Sequence, residues 1–276
     1  MNLPITNHPP ITLGVMTLWT APSNGRLPGS RALWSLSALC ARQHFEKLEL
    51  FTDDAGERML IDELGLPFDR VHKLSIHPSL APLWSVAKLM TYGELCMSHR
   101  PFIHLDGDVV LTRPLPDRLL TAPVCAESPE EWTPPEHLHP LWSLPPVWRH
   151  ALAEPLMWNC GIFGGHDLAK ILRYVSEALK VVSVNHLNIA SGQALPQPMD
   201  RAWCSMMLEQ WGMARAWRRD QVETLFDTPL PDAAARAEAG YCHFKGASKA
   251  QPDLLARIEC ELARRFPSQL ARLSYD

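Results

Sequence analysis

A short apolar run that leads straight into two aspartates is the feature that most restricts how this chain can fold. Residues 101–105 read Pro-Phe-Ile-His-Leu, and Asp106-Gly107-Asp108 follows at once. A continuous apolar run of this length is typical of a strand buried in a parallel sheet. Ligand sites in such sheets collect where the strands end and the loops diverge. The sequence therefore predicts a buried strand whose carboxyl end presents two carboxylates.

The chain before this run alternates strand-like and helix-like segments. Strands are expected at residues 11–19, 47–51, 71–74 and 101–105, with helices between them at 30–45, 53–64 and 82–99. This alternation predicts a parallel sheet with helices on both faces.

The chain after Asp108 has a mixed pattern. Extended segments are expected at residues 109–111, 123–126, 159–163 and 241–244, and helices at 167–182, 200–211 and 252–266. The sequence has no internal repeat and nothing that resembles a linker between independent domains. We therefore expect one α/β domain over residues 1–276, with a mixed, mostly parallel sheet flanked by helices.

One segment departs from this pattern by its proline and tryptophan content. Residues 127–158 contain seven of the 25 prolines and four of the 10 tryptophans. Proline removes a backbone donor and restricts φ, so a long helix or a central strand is not expected here. Four large aromatic side chains argue against disorder. We therefore expect a lid or a binding loop.

Charge, hydropathy and cysteine usage exclude several classes of protein. The formal charge of -4 does not suit a protein that binds the nucleic-acid backbone. The longest apolar stretch, Ile11–Trp19, has nine residues, whereas a membrane helix needs roughly 20. The first ten residues do not read as a signal peptide, and the seven cysteines form no C-x-x-C pair. We expect a cytoplasmic protein with no nucleic-acid partner and no integral membrane segment; peripheral membrane contact stays open.

The two aspartates can be interpreted in two ways. With a glycine between them, both carboxylates can face one hard cation such as Mg²⁺ or Mn²⁺, which completes its shell with phosphate oxygens and water. The alternative is a polar turn with two solvated acids. The apolar strand before Asp106 and the Val-Val-Leu run after Asp108 favour the cation site.

The same run resembles a known motif, and three other segments agree with it in order and spacing. Residues 101–110 resemble the strand and D-x-D motif of GT-A fold glycosyltransferases, most closely those similar to family 8. Residues 159–165, Asn-Cys-Gly-Ile-Phe-Gly-Gly, resemble the strand that lies under the donor sugar in those enzymes. Lys88 lies 18 residues before Asp106, where the family keeps a cationic residue that touches the donor. Residues 243–249 resemble the late H-x-x-G-x-x-K motif.

The resemblance implies a GT-A, Rossmann-like fold and a metal-dependent transferase. It would move a sugar from a nucleotide diphosphate sugar, a UDP-sugar being favoured, to a carbohydrate or glycoconjugate acceptor, with retention preferred over inversion. The resemblance implies Mn²⁺ or Mg²⁺ held by Asp106, Asp108 and His243. The residues expected to contact the donor are Thr17, Trp19, Lys88, Asn159, Gly246 and Lys249.

In these terms the domain has three parts. Residues 11–126 would form the nucleotide-binding half, residues 127–158 the lid or acceptor loop, and residues 159–276 the donor and acceptor half with the C-terminal helix. The four tryptophans of the lid either stack on sugar rings or pin the loop to the core. They are Trp132, Trp142, Trp148 and Trp158.

Asp200 and Glu127 are the candidate catalytic carboxylates. An inverting transferase needs a carboxylate to deprotonate the acceptor hydroxyl, and a retaining one needs a nucleophile or help from the phosphate. Asp200 opens a predicted helix, so helix capping explains it equally well. Glu127 follows a strand-like segment, and a solvated loop acid is the alternative for it.

Two other functions stay open. A protein that binds a nucleotide sugar without turnover is one, because Ala250-Gln251 stands where the family has Pro-Trp and no Gln follows Asp200. A haloacid-dehalogenase-like phosphatase is the other, since it also has D-x-D after an apolar strand. That family requires Thr four residues after the first Asp, where this chain has Val110.

Overall fold

A mixed seven-stranded sheet forms the centre of the chain in the computed structural model, which describes residues 8–23, 27, 30–131, 142–144, 148, 156–193, 200–229, 231–246 and 251–273. Its strands are β1 (Leu13–Leu18), β2 (Lys47–Thr52), β3 (Arg70–Lys73), β4 (Phe102–Leu105), β6 (Cys125–Glu131), β7 (Leu156–Gly165) and β8 (Glu223–Thr224). They lie in the order β3-β2-β1-β4-β7-β6-β8. The first four are parallel, and β7 runs antiparallel to both of its neighbours.

A second, antiparallel pair is formed by β5 (Val109–Leu111) and β9 (Tyr241–His243). The helices are α1 (Arg31–Arg42), α2 (Asp54–Glu57), α3 (Trp84–Met97), α4 (Asp117–Leu120), α5 (Leu168–Val184), α6 (His186–Ala190), α7 (Asp200–Met206), α8 (Gly212–Ala216), α9 (Ala233–Ala239), α10 (Pro252–Arg265) and α11 (Pro267–Leu273). π-helical turns continue α2 through Arg58–Glu63 and join α7 to α8 through Met207–Trp211. The α/β class and the mostly parallel sheet are confirmed.

Both faces of the sheet are buried because its strands are apolar on both sides. In β1, Val15 packs into one hydrophobic core and Met16 into another. In β4, Phe102 and Ile103 divide in the same way. This alternation follows from the two-residue period of a strand, and it explains why the strands read as continuous apolar runs. One core contains α3 and α5, and the other contains α1.

The described part of the proline-rich segment is more regular than its composition suggests. β6 continues through Glu131 and β7 begins at Leu156, so the segment outside the strands is shorter than the expected 127–158. Pro129 is tolerated because β8 pairs with β6 only at Cys125 and Ala126, which leaves Pro129 at an edge. The residues between 131 and 156 lie largely outside the described ranges, so the lid stays a prediction.

Three of the four tryptophans of that segment are core residues. Trp142, Trp148 and Trp158 are buried in the core beside α3 and α5. Burial of these rings supports the interpretation that they pin the segment to the domain. Trp132, the fourth, lies outside the described residues.

Helix α10, the longer of the last two helices, packs against α1. Its Ile258 and Leu262 are buried in a cluster with Leu33 and Leu36. This contact places the helix on the core of the domain. None of the described helices is both long enough and apolar enough to cross a membrane.

A buried carboxylate on β2, that of Glu49, forms hydrogen bonds with side chains of β3 and of the loop after α3. Glu49 accepts hydrogen bonds from Arg100 Nη1 at 2.9 Å and Nη2 at 2.5 Å, and its Oε2 lies 2.7 Å from His72 Nε2. Burial alone would raise the pKa of Glu49, but the hydrogen bonds of Arg100 and His72 lower it below its usual value. The carboxylate therefore stabilises the fold in its charged form.

Replacing Glu49 with Gln should lower the free energy of unfolding at neutral pH by about 1–3 kcal/mol, because Arg100 and His72 lose a charged acceptor. Since folding lowers the pKa of Glu49, its contribution is present above the pKa of an unfolded glutamate, about 4.3, and is lost as the pH falls through the folded-state pKa. Urea unfolding of the wild type and E49Q across this range measures the difference, which should shrink at acidic pH.

The control is Glu46→Gln, which changes an exposed acid just before β2. It should change the free energy of unfolding by less than about 0.5 kcal/mol. A cost of E49Q that is the same at neutral and acidic pH would contradict the role given to the charge of Glu49.

Candidate functional site

Asp106 and Asp108 lie in a turn at the carboxyl end of β4. The Asp106 amide donates to the Gly161 carbonyl at 3.0 Å, and the Val109 amide donates to the Asp106 carbonyl at 3.0 Å. A Cβ atom on Gly107 would lie 2.2 Å from the ring of Trp34. The close approach of this ring explains why glycine stands between the two aspartates. The turn follows a fully buried strand, as the sequence predicts.

His243 reaches the same place through the second sheet. β5 follows the turn directly, and β9 pairs with it so that His243 stands opposite Val109. The Phe244 amide extends this pairing by donating to the Asp108 carbonyl at 3.0 Å. As a result, His243 Nε2 lies 3.4 Å from Asp108 Oδ1.

The three predicted metal ligands are therefore brought together. One candidate ligand atom from each of Asp106, Asp108 and His243 lies within 4.8 Å of the other two. Two carboxylates and an imidazole are a donor set that suits a divalent cation of hard or borderline character. The structure thus gives these residues a common location, and their binding of a metal stays a prediction.

Glu127 lies behind His243. Its Oε2 is 2.6 Å from His243 Nδ1 and accepts a hydrogen bond from the Tyr241 hydroxyl at 2.7 Å. Burial alone would raise the pKa of Glu127, but the hydrogen bond from His243 lowers it. For His243, burial lowers the pKa, yet the hydrogen bonds to Asp108 and Glu127 outweigh it and raise the pKa to about 9. In the absence of a cation, therefore, the imidazole is charged at neutral pH.

Lys88 joins the site from α3. Its ammonium lies 2.5 Å from Asp106 Oδ1 and 2.9 Å from Glu209 Oε1, and 4.9 Å from the centroid of the Trp84 ring. Burial lowers the pKa of Lys88, but the charges of Asp106 and Glu209 raise it above its usual value. The ammonium therefore stays protonated although only 8% of the residue is exposed.

A chain of buried polar side chains extends from Glu209 to β1. The Tyr92 hydroxyl donates to Glu209 at 3.2 Å and lies 3.4 Å from His104 Nδ1. His104 Nε2 is 3.1 Å from the Thr17 hydroxyl, which donates to Thr91 at 3.1 Å. Burial lowers the pKa of His104 well below its usual value, so this histidine is neutral. Thr17, expected to contact a donor, thus also belongs to the internal network.

A cleft of about 290 Å³ lies at this end of the sheet. Thr17, Trp19, Lys88, Asp106 and Asp108 all line it, which places three predicted donor contacts beside two predicted metal ligands. Trp34 and Trp84 are further lining residues. Three tryptophans therefore line a cleft that also holds the charged side chains of Lys88, Asp106 and Asp108.

The remaining predicted residues are not among those that line the cleft. The side-chain Nδ2 of Asn159 donates to Glu130 at 2.6 Å, and its side-chain Oδ1 accepts from the Gly161 amide at 3.0 Å. Asp200 is buried at the first residue of α7. Gly246 is exposed and has a positive φ of 57°. Lys249 lies outside the described residues.

Several residues of the site were not identified from the sequence. Glu209, Tyr92, Tyr241, Trp34 and Trp84 belong to this group. Glu209 is the one acid of the largely buried helical turn Met207–Trp211, and Lys88 is the one cation of the buried helix α3. A buried charge is costly unless a charge of opposite sign lies beside it. A single acid and a single cation on two buried helical segments are therefore the signal that could have revealed Glu209.

Residues 31–275 match DUF6734, a family of unknown function. The chain belongs to this family. The matched span includes the turn Asp106–Asp108, called the acidic turn below, as well as Lys88, Glu209 and His243. The site residues of β1 and of the loop after it lie outside the matched span. No curated protein matches the chain.

Replacing Gly161 with Ala should disturb the contact between Glu127 and His243 behind the candidate metal ligands. A Cβ atom there would lie 2.3 Å from Glu127 Oε2 and 2.6 Å from His243 Nδ1. We expect a loss of about 1–3 kcal/mol in the free energy of unfolding. We also expect the pKa of His243 to fall, because its hydrogen bond to Glu127 is weakened. Urea unfolding and an NMR titration of the His243 ring measure the two effects.

Gly93→Ala is the matched control. A Cβ atom at Gly93, inside α3, would make only an ordinary contact of 3.4 Å with Val175, and alanine favours a helix by about 0.5–1 kcal/mol. This variant should be at least as stable as the wild type. An unchanged His243 pKa in G161A would be evidence against the packing of Glu127 and His243 beside this glycine.

Proposed function

We propose that this protein is a metal-dependent glycosyltransferase that uses a nucleotide diphosphate sugar, a UDP-sugar by resemblance. The observation that carries the proposal is the convergence of Asp106, Asp108 and His243 within 4.8 Å beside a cleft that also holds Lys88. Such a site combines cation ligands with a fixed positive charge, which is what a diphosphate leaving group requires.

The donor set fits a divalent cation. Asp106, Asp108 and His243 would hold it, with Nε2 as the imidazole ligand because Nδ1 faces Glu127. A carboxylate behind a ligating histidine is the usual arrangement that orients the ring. Imidazole is a better ligand for Mn²⁺ than for Mg²⁺, which favours Mn²⁺. When bound, the cation would supply electrostatic stabilisation of the charge that builds on the phosphate oxygens.

Lys88 would supply a second positive charge for the diphosphate. Its ammonium is mostly buried, where an electrostatic interaction is stronger than in water. Asp106 and Glu209 keep it protonated, so no proton has to be gained when a phosphate arrives. A charge fixed in place before the reaction stabilises the transition state without reorganisation.

The tryptophans of the cleft would contact the apolar surfaces of the donor. Trp19, Trp34 and Trp84 can pack against a base or against the C–H face of a sugar ring. A cleft of about 290 Å³ lies at the low end of the range for small-molecule sites, roughly 300–1,000 Å³. This volume suits part of a donor molecule, with the rest contacting surrounding surface.

The position of Glu127 favours a supporting role over a direct catalytic one. Its carboxylate is buried and bonded to His243 and Tyr241, so it is already engaged by two donors. We propose that Glu127 orients His243. Asp200 stays the candidate catalytic carboxylate, and a retaining reaction assisted by the donor phosphate would need no protein nucleophile.

Binding of UDP and UDP-sugars with and without Mn²⁺ tests the proposal. A ligand at 100 times its Kd stabilises a protein by about 2.7 kcal/mol, which raises the melting temperature by a few degrees in a chain of this size. The wild type should show this shift only when Mn²⁺ is present. Asp108→Asn should lose the shift because a cation ligand is replaced by a neutral amide.

Asp54→Asn, which changes an exposed acid at the start of α2, is the control and should keep the shift. Release of UDP from a UDP-sugar distinguishes a transferase from a protein that binds the donor without turnover. Phosphate release from phosphomonoesters, with no effect of any nucleotide on melting, would contradict the proposal and favour the phosphatase.

A further inference from the structure

The ammonium of Lys88 is shared by two carboxylates with different surroundings. Asp106 belongs to the acidic turn and lines the cleft, whereas Glu209 is fully buried. Lys88 Nζ lies 2.5 Å from Asp106 Oδ1, and 2.9 and 3.3 Å from the two oxygens of Glu209. One carboxylate therefore faces the candidate cation site, and the other faces the core.

Glu209 is held firmly from several directions. Its side chain accepts a hydrogen bond from Tyr92, and its backbone carbonyl accepts one from the Tyr174 hydroxyl at 2.8 Å. It lies in the π-helical turn Met207–Trp211, a type of irregularity that is frequent at functional sites. Such a residue can keep a partner in place while the partner's other contacts change.

The carboxylate of Asp106 is a partner for two positive charges, the ammonium of Lys88 and the proposed divalent cation. In the ion-free protein its carboxylate pairs with Lys88, and in the proposed function the same carboxylate is a ligand of the divalent cation. An ammonium at 2.5 Å weakens a cation site in two ways, because it occupies a carboxylate oxygen and repels the incoming ion. The two charges cannot both make full use of Asp106.

We infer that Lys88 competes with the divalent cation for Asp106, and that Glu209 is the positioning residue that retains Lys88 in the cleft when Asp106 turns to the cation. The inference rests on the cation site of the proposed function. Lys88 then neutralises the acidic turn before the cation arrives, and afterwards it stays beside the cleft with Glu209 as its counter-charge. Both charges are thereby present when the donor binds.

Calorimetric titration with Mn²⁺ alone tests this competition. Lys88→Gln should tighten Mn²⁺ binding, by roughly three- to tenfold for one nearby unit charge. Glu209→Gln should weaken it several-fold, because Lys88 is then left with Asp106 as its carboxylate partner. Lys88→Met removes the same charge with an apolar side chain of similar length, and it should also tighten Mn²⁺ binding, which keeps the test available if K88Q is unstable.

A second ion pair, whose residues do not line the cleft, provides matched controls. Lys245 and Glu130 are 2.6 Å apart, and Lys245 also contacts Glu127, the residue behind His243. Lys245→Gln and Glu130→Gln make the same charge changes as K88Q and E209Q beside the same cluster. They should alter the Kd of Mn²⁺ by less than about twofold, since this partly exposed pair is screened by solvent. Equal effects of the two pairs would mean that net charge alone matters, which overturns the inference.

The remaining outcomes separate this inference from the proposed function. Mn²⁺ binding that D108N abolishes but K88Q leaves unchanged overturns the competition and leaves the metal site intact. An unchanged Kd in E209Q, with tighter binding in K88Q, overturns the role of Glu209. Tighter binding of Mn²⁺ by K88Q, with no effect of any nucleotide on the melting temperature, supports the competition and contradicts the proposed transferase activity. A wild type that binds no Mn²⁺ overturns both.

Discussion

The rest of the site depends on the ion pairs that the buried ammonium of Lys88 forms with Asp106 and Glu209. A charge removed from water is tolerated only when counter-charges and hydrogen bonds surround it. Asp106 and Glu209 provide them from two distant parts of the chain, and both are thereby drawn towards α3. The Nζ atom of Lys88 thus connects helix α3 to the acidic turn and to the π-helical turn Met207–Trp211.

The second sheet has a comparable function on the other side of the acidic turn. β5 continues directly from the turn, and its pairing with β9 carries His243 to Asp108. Glu127 then connects this pair of strands to the main sheet through hydrogen bonds to His243 and Tyr241. A side chain at Gly161 would occupy the space where these residues meet. The candidate metal ligands are therefore oriented by a layer of buried partners behind them.

The parts of the fold that could be predicted are those where local pattern and tertiary structure agree. The strands of the N-terminal half are buried on both faces, so their apolar runs were easy to recognise, and the helices between them start with ordinary caps such as Ser30 and Asp53. The extent of β6 was underestimated because Pro129 is unfavourable in a central strand and only the short length of β8 makes it an edge. Strand β8 and the helices α4, α6, α9 and α11 were not expected from the sequence.

The sequence by itself determined the type of sheet and the position of the acidic turn at a strand end, since both depend on local periodicity. It also predicted the candidate set Asp106, Asp108 and His243, through short motifs that resemble those of a known family. Tertiary structure alone decided which residues support that set. Glu209 meets Lys88 across 121 residues, and Glu127 meets His243 across 116. No local pattern encodes such contacts, because they arise only when buried polar groups from separate elements must satisfy one another.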